Sequence, residues 1–210
     1  MTKQQQVDGI ISALKEAYPE APCALNSTKD YELMIAVRLS AQCTEARVNQ
    51  VTPALFAAYP TLESFAEATI EDVEEYVHSC GFYHHKARDI VAACRMLLDE
   101  YDGRVPDSME DLLKLPGVGR KTANLLLGDI YGKEAYVCDT HCIRIAGLLG
   151  LTDGSKDPEK VERQLREVIP PEESSDFCHR IVLHGRAVCV ARRPNCAACT
   201  LAPYCKHANA

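Results

Sequence analysis

Three observations predict an all-α protein. Apolar residues recur at helical spacing, as at Val7, Ile10 and Leu14 near the amino terminus, where Pro19 ends the pattern. No stretch of the 210 residues sustains the period-two alternation of a half-buried strand. Residue types that cap helices stand directly before several of the apolar stripes.

Individual helices follow from caps and periodicity. Thr69 and Ser108 are each followed three residues later by an acid and then by apolar positions, which is close to a capping box and predicts two helix starts. Periodicity predicts the other helices, with ends uncertain by a few residues. These helices span residues 29–39, 44–58, 86–101, 120–131, 140–149, 158–168 and 175–188.

The composition is that of a globular protein. Hydrophobic residues make up 47% of the chain and charged residues 25%, which allows one large or two small cores. The amino terminus lacks the basic-then-apolar pattern of a signal peptide, and no apolar run reaches transmembrane length. We therefore expect a soluble cytoplasmic protein with no membrane partner.

The net charge of -7 argues at first against a nucleic-acid partner, because phosphate contacts need Lys and Arg. The charges are segregated, however. Residues 178–210 contain five Lys or Arg and no acid, whereas residues 63–75 contain six acids and no base. A basic face on an acidic body is therefore allowed. An acidic surface with an incidental basic tail remains an alternative.

Residues 108–131 fit a helix-hairpin-helix. A short helix is followed by a turn containing Gly117 and Gly119, and then by a second helix whose small Ala123 allows close packing. The amides of Gly117, Val118 and Gly119, with the helix start that follows, would bind a backbone phosphate without reading base sequence. An ordinary helical connection with a glycine cap is the alternative.

Lys121 occupies the first turn of the helix after this hairpin. Unsatisfied amides give a helix start a partial positive charge, which disfavours an ammonium there, and we expect partial burial to add to this effect. A neutral lysine is a nucleophile that forms a Schiff base with a sugar aldehyde. A lysine beside a phosphate-binding turn therefore points to chemistry on DNA.

The chain contains eleven cysteines, an odd number, in a sequence without an export signal, which favours metal binding over disulfides. Four of them, near the carboxyl end, have the spacing C-x6-C-x2-C-x5-C. Zinc also accepts four cysteines, but its usual fingers contain two close pairs and this loop has one C-x-x-C. The spacing therefore favours a 4Fe-4S cluster over zinc. The four are Cys189, Cys196, Cys199 and Cys205.

Taken together, the hairpin and three further segments resemble endonuclease III, a DNA glycosylase and abasic-site lyase for oxidised pyrimidines. The matching segments are residues 115–124, 137–141, 183–186 and 189–205. The resemblance runs over nearly the whole chain. It implies a six-helix domain at 22–133, which contains the helix-hairpin-helix, and an iron-sulfur domain formed by 1–21 and 134–210. It also implies that DNA binds across the cleft between the domains.

The same resemblance implies roles for single residues. Lys121 would be the nucleophile at C1′, and Asp139 would stabilise the charge on the sugar or assist deprotonation of the nucleophile. Gln42 and Phe82 would fill the space left by the flipped nucleotide. On the residues alone, Gln42 fits a polar helix end, Phe82 a core aromatic and Asp139 a plain helix N-cap.

The implied protein is a monomer that repairs double-stranded DNA containing damaged pyrimidines or abasic sites, in the cytoplasm and at the nucleoid. Its cluster loop carries Arg192 and Arg193, which the cluster would position against phosphates. Two other functions remain alternatives. A non-catalytic helix-hairpin-helix DNA-binding metalloprotein leaves Lys121 without a role, and an iron-sulfur electron carrier leaves the hairpin unexplained.

Overall fold

The computed structural model describes residues 1–209, and helices are the only regular elements in that range. The all-α prediction is confirmed. No helix among these residues is long and apolar enough to cross a membrane. The α-helices are α1 (Lys3–Ala17), α2 (Asp30–Ser40), α3 (Glu45–Ala58), α4 (Leu62–Glu67), α5 (Ile70–Val77), α6 (Tyr83–Glu100), α7 (Met109–Leu112), α8 (Arg120–Tyr131), α9 (Thr140–Leu149), α10 (Pro158–Arg166) and α11 (Ser174–Ala187).

The chain forms two compact units. One consists of Met1–Pro22 together with Gly132–Ala210, and the other of Cys23–Tyr131. Helices α2 to α8 belong to the second unit, and α1 and α9 to α11 belong to the first. This division describes packing alone, so the functional domains named above stay a prediction.

Helix α6 is central in the unit formed by Cys23–Tyr131, where it packs against α2, α4 and α5. Its apolar residues recur every three to four positions, so one face of the helix is buried. That face includes Ala87, Ile90, Cys94 and Leu97. The helix begins at Tyr83, three residues before the predicted start at 86.

This unit contains seven α-helices, one more than caps and periodicity predicted for this part of the sequence. The unpredicted helix is α4, which a capping box starts: the Thr61 hydroxyl accepts from the Ser64 amide at 3.2 Å, and Ser64 Oγ accepts from the Thr61 amide at 3.1 Å. Sequence analysis missed this helix because the box uses serine in place of Glu or Gln, and six residues are too few to show periodicity.

In the other unit, α11 packs against α1 and α9. The extended segment before α9 is held by two hydrogen bonds. The Ala135 amide donates to Ser174 Oγ at 3.0 Å, and the Tyr136 hydroxyl donates to the Ile169 carbonyl at 2.8 Å. Ala135 and Tyr136 are both fully buried, so the segment that leads into α9 is anchored in the core of this unit.

Candidate functional site

The predicted helix-hairpin-helix is formed by α7, a turn that is the hairpin, and α8. Leu112 and Leu115 are buried on one side of the turn, and Ala123 is buried on α8. The Val118 side chain is buried too, and its amide donates to the Leu115 carbonyl at 3.1 Å. Of the three amides predicted to bind phosphate, that of Val118 is thus used inside the turn.

The two glycines of the turn differ in conformation. Gly117 has φ +75°, and a Cβ there would lie 2.5 Å from Arg38 Nε and 2.9 Å from Asp89 Cβ. Gly119 has no positive φ, and a Cβ there would meet nothing within 4 Å. Positive φ, the conformation that glycine favours, is thus present at Gly117 and absent at Gly119. Gly119 accepts the Ala123 amide at 2.9 Å, so it starts α8 with the ordinary backbone of an N-cap.

An ion pair supports Gly117 from α2 and α6. Arg38 donates from Nε and Nη2 to Asp89 Oδ2, at 3.0 and 2.7 Å. Both side chains are largely buried, with 18% and 15% of their surfaces exposed. Sequence analysis did not select this pair. The available signal was a charged residue inside the apolar run 33–39 of α2.

Lys121 lies in the first turn of α8, as predicted, and its side chain is exposed. The expectation of partial burial is therefore wrong. The reason is helical geometry: α8 turns Ala123, Asn124 and Leu127 toward the core, and Lys121 falls outside that stripe.

Asp139 is the N-cap of α9. Its Oδ1 accepts from the Cys142 amide at 2.7 Å, and its own amide donates to the Val137 carbonyl at 3.0 Å. The side chain is half-buried. The N-cap alternative is thus what the structure contains, and it holds one carboxylate oxygen in a fixed position at the helix start.

Gln42 and Phe82 share an uncommon backbone conformation. Their φ values are +54° and +48°, and among the described residues Asp102 is the one other non-glycine with positive φ. Gln42 is exposed in the turn after α2, and Phe82 is 63% exposed directly before α6. The core-aromatic alternative for Phe82 is therefore wrong. Such conformations cost free energy and persist only where the surrounding structure holds them.

A buried lysine contacts the segments that precede these two residues. Lys86 is 1% exposed, and its Nζ donates to the carbonyl oxygens of Leu39 and Cys80, both at 2.8 Å. Sequence analysis missed Lys86. The signal was a lysine at a position that belongs to the apolar stripe of α6, four residues before Ile90.

The four clustered cysteines are free thiols in one loop. Burial raises the pKa of the Cys199 thiol, against a lowering hydrogen bond with the Leu201 backbone, and charge on Cys189, Cys205 and Cys196 raises it further. The four thiols therefore share one electrostatic neighbourhood. Arg192 and Arg193, between the first two cysteines, are both exposed.

Neighbouring groups contact three of these sulfurs. Arg144 donates to Cys189 Sγ at 3.4 Å and to its carbonyl at 2.8 Å, and Cys199 Sγ lies 3.4 Å from His184 Nε2. Cys205 Sγ lies 3.5 Å from a carbonyl of α9. Within residues 1–209, no three His, Cys, Asp or Glu side chains are placed to hold a single metal ion.

Known proteins match this chain over its full length. A family described as the HhH-GPD superfamily of base excision DNA repair proteins matches residues 35–171. An endonuclease III of Synechocystis sp. is 46% identical over 100% of this chain and 95% of its own length. The chain belongs to the endonuclease III family. It is a DNA glycosylase/lyase of base excision repair.

Further relatives agree with this assignment. The endonuclease III of Escherichia coli is 38% identical over 99% of this chain and 97% of its own. A solved structure described as a trapped endonuclease III-DNA covalent intermediate has a TM-score of 0.92 and 40% identity, covering 100% of this chain and 98% of that one. A non-covalent endonuclease III-DNA complex has the same TM-score and identity.

Proposed function

We propose that this endonuclease III homologue acts as a monomer on duplex DNA, removes oxidised pyrimidines and cleaves the strand by β-elimination with Lys121 as its nucleophile. The observation that carries the proposal is the exposed amine on the first turn of α8, directly after the hairpin. The relative described as covalently trapped on DNA supports a covalent step. The alternative of a non-catalytic DNA-binding protein gives this amine no role.

The hairpin would bind the DNA backbone beside that amine. Gly117 and Gly119 offer amides at the start of α8, where the helix dipole favours an anion, while Val118 anchors the turn in the core. A phosphate held there lies within one helical turn of Lys121. Binding of this kind depends on the phosphate alone, so it serves any base sequence.

Gln42 and Phe82 would hold the duplex open. A glycosylase must extrude its target nucleotide, and the space left in the stack must be filled. The exposed Phe82 ring is suited to insertion at a base step, and the Gln42 amide is suited to the unpaired base opposite. Their shared left-handed backbone supports a functional reason for both positions.

The reaction then follows from the amine. The Lys121 nitrogen bonds to C1′ as the bond to the base breaks, and the base leaves with the electron pair and takes up a proton. Nitrogen then loses its protons while the C1′–O4′ bond of the sugar ring breaks with its electron pair onto O4′, which is protonated, and an imine with the sugar results. Loss of the C2′ proton breaks the C3′–O bond, and the electron pair leaves with the phosphate. Asp139 would stabilise the positive charge that develops on the sugar, with its carboxylate oriented by the cap on α9.

The cysteine loop fits a 4Fe-4S cluster. Its four sulfurs influence one another electrostatically, and the loop contains one C-x-x-C where the usual zinc fingers contain two close pairs. A cluster takes one thiolate from each of Cys189, Cys196, Cys199 and Cys205, and the N–H from Arg144 suits a cluster sulfur. When bound, the cluster would hold the loop in one conformation. Arg192 and Arg193 would then meet phosphates.

Incision of a duplex with a single oxidised pyrimidine tests this function. We expect release of the damaged base and a 3′ end of the β-elimination type, with no incision of the undamaged duplex. Base release with the abasic strand still intact would show that the protein is a glycosylase without lyase activity. Binding without base release would favour the non-catalytic alternative.

A further inference from the structure

The buried ammonium of Lys86 joins two segments that are distant in sequence. Its two acceptors are the carbonyl of Leu39, in the last turn of α2, and that of Cys80, at the end of the 3-10 turn 78–80. Carbonyls at helix ends carry partial negative charge, so both attract a cation. One side chain therefore ties the ends of two helical segments together.

Each of these segments leads directly to one strained residue. Gln42 lies two positions after α2 ends at Ser40, and Phe82 lies two positions after Cys80. Both have left-handed backbones, φ +54° and +48°. The side chains proposed above to enter the duplex thus project from turns whose preceding carbonyls bind the same ammonium.

A second interaction links the same turns. Burial, together with interaction with the Cys43 thiol, raises the pKa of the Cys80 thiol to about 11. Cys43 directly follows Gln42, and its amide donates to the Ser40 carbonyl at 3.0 Å. This interaction indicates that the two turns are neighbours.

A charge at this position needs a reason other than packing. Removing an ammonium from water is unfavourable, and burial lowers the pKa of Lys86. A methionine would fill the same space without that cost. Methionine cannot donate hydrogen bonds to the two carbonyls. Such hydrogen bonds are stronger when the donor is charged.

We propose that Lys86 is a positioning residue that holds Gln42 and Phe82 in the left-handed conformations needed to enter the DNA duplex. The inference rests on the roles proposed above for these two side chains. Left-handed backbones at non-glycine residues revert when their surroundings no longer fix them. Without the ammonium, the two turns relax independently, and the spacing of the side chains is lost.

Lys86→Met tests this inference, with Arg95→Met as its matched control. Arg95 is on the same helix and also donates to two carbonyls, of Ala66 and Ala68, away from the two turns. Each variant is assayed for excision from a duplex with one oxidised pyrimidine, and for borohydride trapping on single-stranded abasic DNA. The second substrate contains no base pair to be opened.

We expect Lys86→Met to lower duplex excision about tenfold, because relaxation of residues strained in this way changes populations by roughly that factor. Trapping on single-stranded abasic DNA stays within about twofold of wild type, as single-stranded sites need no wedge. Arg95→Met leaves the ratio of the two activities unchanged. Equal loss of both activities in Lys86→Met would show a merely structural role and overturn the inference.

A double variant separates this inference from the function on which it rests. If Gln42→Ala with Phe82→Ala leaves duplex excision intact, the proposed wedge roles fail. If that variant loses duplex excision but Lys86→Met does not, only the Lys86 inference fails. Should Lys86→Met not fold, Lys86→Gln keeps a neutral donor and is expected to show a smaller, duplex-specific loss. Failure of both to fold would mean that Lys86 serves the fold, and would also overturn the inference.

Discussion

Two nitrogens of Arg38 donate to a single carboxylate oxygen of Asp89, and this ion pair packs against Gly117 of the hairpin. Arg38 is on α2 and Asp89 on α6. The turn after α2 carries Gln42, and Phe82 directly precedes α6. The hairpin and both proposed wedges therefore share one support, the pair α2 and α6.

Removing the charge of Asp89 tests this support. Asp89→Asn leaves the Arg38 guanidinium largely buried without its partner, so we expect a loss of about 1–3 kcal/mol in the free energy of unfolding. Asp99→Asn, on the exposed side of the same helix, should stay within about 0.5 kcal/mol. Urea unfolding of the three proteins gives the comparison. Equal stability of both variants would mean that the ion pair contributes little.

The two glycines of the hairpin should respond differently to alanine. Gly117→Ala forces a side chain into a left-handed residue against Arg38 and should cost about 1–3 kcal/mol of unfolding free energy. Gly119→Ala has open space and should keep its stability within about 0.5 kcal/mol. If the Gly119 amide binds a phosphate, the added methyl should hinder its approach, so affinity for all duplexes should fall alike. Unchanged affinity of Gly119→Ala at fixed salt would argue against phosphate binding there.

Local signals predicted most of this fold. The helix starts at Thr69 and Ser108 could be predicted because each hydroxyl accepts a hydrogen bond from the backbone amide three residues later in the chain. The turn at Gly117 was readable because glycine favours positive φ. Each of these contacts lies within a few residues of its signal. Short range and a distinctive residue type made them predictable.

The residues that support the site could not be predicted, because their contacts join positions far apart in the sequence. Lys86 binds the Leu39 carbonyl 47 positions away. Because every residue has a backbone carbonyl, the residue type at position 39 does not indicate this contact. The left-handed backbones of Gln42 and Phe82 occur at residues that do not favour them, so no local pattern indicates them. The exposure of Lys121 depended on how α8 rotates against its core. All three features are set by tertiary packing.

The cluster is tested by its inorganic content. Cys199→Ser removes one thiolate, so we expect iron and sulfide to be lost together with soluble yield. Cys23→Ser changes a half-buried cysteine outside the loop and should retain both elements. Metal and sulfide analysis after purification without oxygen makes the measurement. Wild-type protein with stoichiometric zinc and no iron would contradict the cluster.

Asp139 can be changed without loss of its cap, because asparagine is an equally good N-cap. For Asp139→Asn we expect excision of an oxidised pyrimidine to fall by about 10²–10³, since charge stabilisation is lost. Some lyase activity on a pre-formed abasic site should survive, because that sugar already offers an aldehyde to the amine. Asp157→Asn, at the cap of α10, is the matched control and should keep both activities. Equal excision by both variants would restrict Asp139 to capping.

The assignment of Lys121 as nucleophile is tested most directly by borohydride trapping on abasic duplex DNA. Lys121→Gln should give no covalent adduct and still bind the duplex, because the hairpin amides and the two wedges are unchanged. Lys114→Gln removes an exposed lysine that pairs with Asp111 before the hairpin, and it should be trapped as efficiently as wild type. Undiminished trapping of folded Lys121→Gln would contradict the account.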